Sequence, residues 1–168
     1  MKAGMRSHKH SLHTFSNAKS MHRSFTLEAW QRRSLYVLFA ALLLSGGLWL
    51  IAHYFLRTSS EFGASIHPWE HPVMQAHGAF ALLICIISGS LIHWHIKRAH
   101  QAQRNRASGW TMVGFMLTLL ITGYGLYYWA SEETHQWWSM LHWIPGLALP
   151  VLLLLHILLG RRAVRGEA

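Results

Sequence analysis

Cysteine, acidic side chains and charge in general are what this sequence lacks. It has one cysteine, Cys85, and six Asp and Glu in 168 residues. A single cysteine excludes an intrachain disulfide, a CxxCH motif and a cysteine-rich zinc site. Only 12% of the residues are charged, about half the ~25% usual for soluble domains. No Gly-rich phosphate loop and no nicotinamide-binding fingerprint occurs, and the apolar stretches hold no nucleophile–base constellation. The length suits one domain rather than a modular enzyme. What is abundant is unusual: 14 His, 9 Trp and a net charge of +9. In a soluble protein that charge would suggest a nucleic-acid partner. Here the basic residues sit in short clusters between long uncharged runs, a membrane pattern with no nucleic acid implied.

Four runs lack Asp, Glu, Lys and Arg altogether: residues 34–56, 71–96, 110–130 and roughly 136–160. Each is long enough to cross a hydrocarbon layer of about 30 Å at about 1.5 Å per residue. In lipid every backbone amide must be satisfied within its own segment, so the runs are expected to be helices. The expected fold class is an all-α membrane protein, a four-transmembrane-helix bundle. Residues 1–33 are polar, basic and His-rich without apolar periodicity, and read as a disordered cytoplasmic tail. Residues 34–163 form the membrane domain and 164–168 a C-terminal tail.

The basic residues give an orientation. Fourteen of the fifteen Lys and Arg fall in the N-terminal tail, the middle connector and the C-terminus, and only Arg57 falls on the opposite side. The positive-inside rule places both termini in the cytoplasm of a bacterial inner membrane. Glu61, Glu70, Glu132 and Glu133 then lie outside. Trp69, Trp129, Trp137 and Trp138 are expected to form an outer aromatic belt, with Trp30, Trp94 and Trp110 on the inner side.

The chain also looks duplicated. LLLSGGLWL in the first run matches LLITGYGLY in the third, aligning Ser45–Gly46 with Thr122–Gly123. The second and fourth runs each carry His near both ends and finish in a basic stop. Two parallel two-helix repeats would set the second and fourth helices face to face, with their histidines at similar depths.

Ionisable groups within membrane spans mark functional sites by default, and here they are histidines alone. His142 and His156 are 14 residues apart. That is about 21 Å of helix and about 40° from a whole number of turns, so both project from one face, one near each surface. A neutral imidazole is a good iron ligand, and a b-type haem takes two axial histidines from different helices. His77 matches His142 in depth. Near the inner end two partners for His156 are open: His95, a whole five turns from His77, and His93, closer in depth but on another face. The angular match favours His95; a kink at Ser88–Gly89–Ser90 would favour His93. His53 stands near the outer end of the first span, as a substitute for His77, a propionate contact or a headgroup contact. Gly46, Gly123 and Gly146, one turn from His142, offer clearance for a flat porphyrin or ordinary small-residue packing.

At HG…HWH in the second span and H-x13-H in the fourth, the sequence resembles the small di-haem b-type cytochromes of bacterial inner membranes. These include the cytochrome b subunits of hydrogenases and formate dehydrogenases, and four-helix cytochromes found beside flavin-carrying proteins. The resemblance covers residues 34–163. It implies that His77 and His142 ligate an outer haem b and that His156 supplies one ligand of an inner one. The inner-side histidine of the hydrogenase-type first helix has no counterpart, because that region reads Arg33-Ser34-Leu35-Tyr36. The second inner ligand is then His95 or His93, or the chain holds one haem instead of two. The implied function is electron transfer across the membrane, between the quinone pool or an inner donor and a periplasmic or membrane redox protein. The chain would serve as a subunit of a redox complex rather than as a complete enzyme. The competing readings are an intramembrane-histidine transporter, disfavoured because every carboxylate lies outside the spans, and a haem-free membrane anchor.

Overall fold

The computed structural model describes residues 27–60, 63–101, 103 and 105–165; the expected tail before residue 27 and the last three residues lie outside them. Helix α1 spans Ala29–Phe55, and a short antiparallel hairpin follows, β1 Thr58–Ser60 paired with β2 Gly63–Ser65. Helix α2 spans Glu70–Leu91 and runs into a π-helical turn, Ile92–Ile96, and a short helix α3, Lys97–Gln101. Helices α4, Arg106–Tyr128, and α5, His135–Arg165, complete the chain. Helices α1, α2, α4 and α5 are each long and apolar enough to cross a membrane. The protein is an all-α four-helix bundle of multi-pass membrane type.

Side-chain exposure agrees with a lipid surround. The buried core is thin, centred on Leu35, Leu38 and Ile84, with Leu42, Phe80, Ile87 and Met116 packed around it. Val37, Leu44, Leu82 and Val151 are 61–66% exposed. Apolar side chains so exposed over the whole length of the helices would form a continuous greasy surface in water, and in lipid they cost nothing.

Helix α1 begins at Ala29, five residues before the uncharged run, so Arg32 and Arg33 belong to its first turns. Glu28 and Gln31 form a capping box that satisfies amides there. The start of α4 is set by Asn105, which holds a left-handed conformation with φ 47° and ψ 37°; asparagine is among the few non-glycine residues that adopt it readily. Pro145 and Pro150 sit inside α5 without ending it.

Antiparallel pairs build the bundle: α1 packs along α2, and α4 along α5. Both pairs bring one helix's start to the other's end. Gln31 of α1 donates to Ser90 Oγ of α2 at 3.4 Å, and His53 near the other end meets Glu70. The two pairs therefore share a loop end, with the α1–α2 and α4–α5 connections, and a terminal end, with the α2–α4 connection. Helices α2 and α5 run parallel and their backbones do not pack closely. Histidine rings span the space between them.

Of the aromatic residues expected at the interfaces, Trp30, Trp69, Trp110, Trp129 and Trp137 are exposed at helix ends. Trp138 is an exception. Its indole lies over Gly125 so tightly that a Cβ there would overlap it, so it closes the α4–α5 packing instead of facing headgroups.

Candidate functional site: two histidine pairs between α2 and α5

The structure brings together two histidine pairs. His77 of α2 faces His142 of α5 with ring centres 6.2 Å apart and planes at 78°. Toward the terminal end His95 faces His156 at 6.3 Å and 81°. His95 lies within the π turn, whose wider i→i+5 closure runs from the Lys97 amide to the Ile92 carbonyl. Eighteen residues separate the two histidines on the α2 side, and fourteen separate their partners on α5. The side chain of His93 lies outside the described residues.

The spacing has a chemical meaning. A first-row metal sits about 2.0–2.1 Å from an imidazole nitrogen, and that nitrogen lies about 1.1 Å from its ring centre. Two imidazoles on opposite sides of one metal therefore have centres about 6.3 Å apart. Both pairs stand at that separation. Among the described residues no third His, Cys, Asp or Glu joins either pair, whereas a bare zinc or copper ion takes three or four protein ligands. A two-donor site suits a metal that arrives with further ligands of its own, as the iron of a haem does. The α2 and α5 backbones stay apart, and the residues that would hold such a group are His77 with His142 and His95 with His156. The indole N–H of Trp143, the residue after His142, is buried and has no partner among the described residues.

Neighbouring helices hold three of the four rings from behind. Ser45 Oγ of α1 lies 2.9 Å from His77 Nδ1 and 2.7 Å from the Ala41 carbonyl. Thr122 Oγ1 of α4 lies 3.0 Å from His142 Nδ1 and 2.7 Å from the Thr118 carbonyl. Ser108 Oγ lies 3.0 Å from His156 Nδ1 and 2.6 Å from Asn105 Oδ1. A hydroxyl has one proton. Given to a carbonyl oxygen that can only accept, it leaves the hydroxyl oxygen as acceptor toward the ring. Nδ1 must then be the protonated nitrogen that donates, and Nε2 keeps its lone pair. Asn105 Nδ2 also donates to the His156 carbonyl at 3.2 Å, tying the start of α4 to this part of α5.

Each hydroxyl precedes a glycine. A Cβ at Gly46 would come within 3.3 Å of His77 Cε1, one at Gly123 within 3.1 Å of His142 Cε1, and one at Gly109 within 3.9 Å of His156 Cε1. At Gly46 and Gly123 the clearance is thus for the imidazole. Gly146, by contrast, would meet Leu119 at an ordinary 3.7 Å, which is small-residue packing of α5 on α4. Sequence reasoning paired Ser45–Gly46 with Thr122–Gly123 as a repeat but missed Ser108–Gly109 and Asn105. The recurrence of a hydroxyl–glycine dipeptide was the available signal.

His53 stands with a different set of partners. Its Nδ1 lies 2.9 Å from Glu70 Oε2 and 2.7 Å from Arg57 Nη2, and its ring stacks on Trp49 at 4.5 Å. Glu70 is only 6% exposed and also accepts from Arg57 Nε at 3.3 Å and from the His67 amide. This cluster closes the loop end of α1 and α2, two helical turns beyond His77 on α2. No family model, curated protein or solved structure matches the chain.

Proposed function

We propose that this protein is a b-type cytochrome with two haem sites, His77–His142 and His95–His156, which carries electrons across a bacterial inner membrane. The observation that carries the reading is the double recurrence of one geometry, two imidazoles with ring centres 6.2 and 6.3 Å apart and planes near perpendicular on helices whose backbones are held apart. The haem, when bound, supplies one-electron redox chemistry. The chain's own residues do the rest. His77, His142, His95 and His156 would hold the groups through ring nitrogens; Ser45, Thr122 and Ser108 hold three of those rings. The lipid-facing helices keep the sites out of bulk water.

The 14-residue spacing along α5 sets the two sites about 21 Å apart in depth, one toward each surface, as passage across a bilayer requires. The distribution of basic residues supports an orientation with both termini in the cytoplasm and the loop end outside. The partners are then a periplasmic or membrane redox protein at one surface, and the quinone pool or an inner donor at the other. Single substitutions test the two-site reading. His142→Ala and His156→Ala each remove about half of the haem absorbance, and they remove spectrally different halves. Identical loss in both variants, or none in either, would count against it.

A further inference from the structure

We infer that Ser45, Thr122 and Ser108 are positioning residues that fix the tautomer of the ligand histidines, and that their uneven distribution makes the loop-end site the harder of the two to reduce. The inference rests on the haem reading above and adds to it an order of potentials.

At the loop end both rings, His77 and His142, donate Nδ1–H to a hydroxyl oxygen whose own proton is committed to a carbonyl. At the terminal end only His156 does so, through Ser108. The repeat that sets Ser45 against Thr122 sets Gln31 against Ser108 by the same offset along the chain. Gln31 is turned instead to the Glu28 amide and to Ser90, and among the described residues no hydrogen bond reaches the His95 ring. An acceptor at Nδ1–H raises the basicity of the opposite nitrogen and fixes the ring's orientation. A more basic axial ligand favours the ferric over the ferrous state and lowers the reduction potential. Two such acceptors act at the loop end and one at the terminal end.

Charge acts in the same direction. Lys97, Arg106, Arg161 and Arg162 lie at the terminal end, and cationic surroundings favour the less positive, reduced state. At the loop end Arg57 is offset by the buried Glu70. At equilibrium, an electron shared between the two sites would reside toward the terminal end.

The test is a potentiometric titration of the purified, haem-loaded chain in detergent, followed by visible absorption. The two waves are assigned by their loss in His142→Ala and His156→Ala. The expected result is a loop-end wave at lower potential than the terminal-end wave. Ser45→Ala and Thr122→Ala each shift the loop-end wave upward and leave the other in place, Ser108→Ala shifts only the terminal-end wave, and Thr122→Ser restores the original value. Alanine is at home in a helix, so the fold survives these changes. Loaded protein whose waves stand in the opposite order, or do not move in the three alanine variants, overturns this inference and leaves the cytochrome reading intact. A chain that takes up no haem overturns both.

Discussion

Replacing Gly123 by alanine places a methyl group 3.1 Å from His142 Cε1 and 3.5 Å from Nδ1. Carbon atoms in ordinary contact stand about 3.5–4.0 Å apart, so the imidazole must retreat by at least about 0.4 Å. A metal–nitrogen bond tolerates about 0.2 Å. Thr122, adjacent on the same helix, restrains the ring from the Nδ1 side at 3.0 Å, so the displacement cannot be absorbed without loosening one of the two contacts. Gly123→Ala is expected to weaken haem binding at the loop-end site by about tenfold, the lower end of the 10–100-fold typical when the support of a metal ligand is disturbed. Gly123→Val, with two further methyl groups, abolishes binding there. Gly46→Ala, whose Cβ would stand 3.3 Å from His77 Cε1, has a smaller effect, and Gly47→Ala, where nothing lies within 4 Å, has none. The assay is haem bound per purified chain across a haem titration, with the terminal-end site as internal reference. A Gly47→Ala defect as large as that of Gly123→Ala, or full loop-end occupancy in Gly123→Val, would refute the reasoning.

Other consequences concern stability and orientation. Arg57→Ala leaves the nearly buried Glu70 carboxylate with His53 and a backbone amide as its partners, and is expected to destabilise the bundle by about 1–3 kcal/mol; thermal unfolding in detergent reads this as a lowered Tm, and an unchanged Tm contradicts it. Gly125→Ala forces a methyl group into the Trp138 indole and should cost about 1–3 kcal/mol by overpacking, whereas Gly78→Ala, which faces open space, should be tolerated in the same melt. Reporter fusions at the C-terminus are expected to be active only with a cytoplasmic reporter, and cysteines introduced in the β1–β2 hairpin should react with an impermeant thiol reagent added outside. The reverse labelling pattern would overturn the orientation.

Much of the fold is legible in the sequence because lipid leaves few alternatives. A run without charges, long enough to cross, becomes a helix whatever its local propensities, and four such runs give four helices. The facing of His77 with His142 is also legible, since two helices repeating the same histidine pattern in parallel present it at matched depths. The meeting of His95 with His156 was reached on the assumption of a regular helix. The structure places a π turn at Ile92–Ile96, a change of winding with no signature in IHWHI that separates it from an α turn. The supporting hydroxyls were only half visible. Ser45–Gly46 and Thr122–Gly123 stand out as a repeat, but the same kind of dipeptide at Ser88–Gly89 faces open space at its glycine, so the dipeptide alone does not say which histidine it meets. Ser108 depends on the left-handed turn at Asn105, and that is decided by the tertiary path of the connector. The attachment of His53 to Glu70 and Arg57 is likewise a contact between residues far apart in sequence, with no periodicity to announce it.

The central claim, two haem b groups held by the two histidine pairs, is tested most directly by a dithionite-reduced minus oxidised absorption spectrum of the purified, haem-supplemented protein, with haem quantified per chain. The account predicts b-type bands and two haems per chain. Protein that stays folded in detergent yet shows no such bands and binds no haem would contradict it.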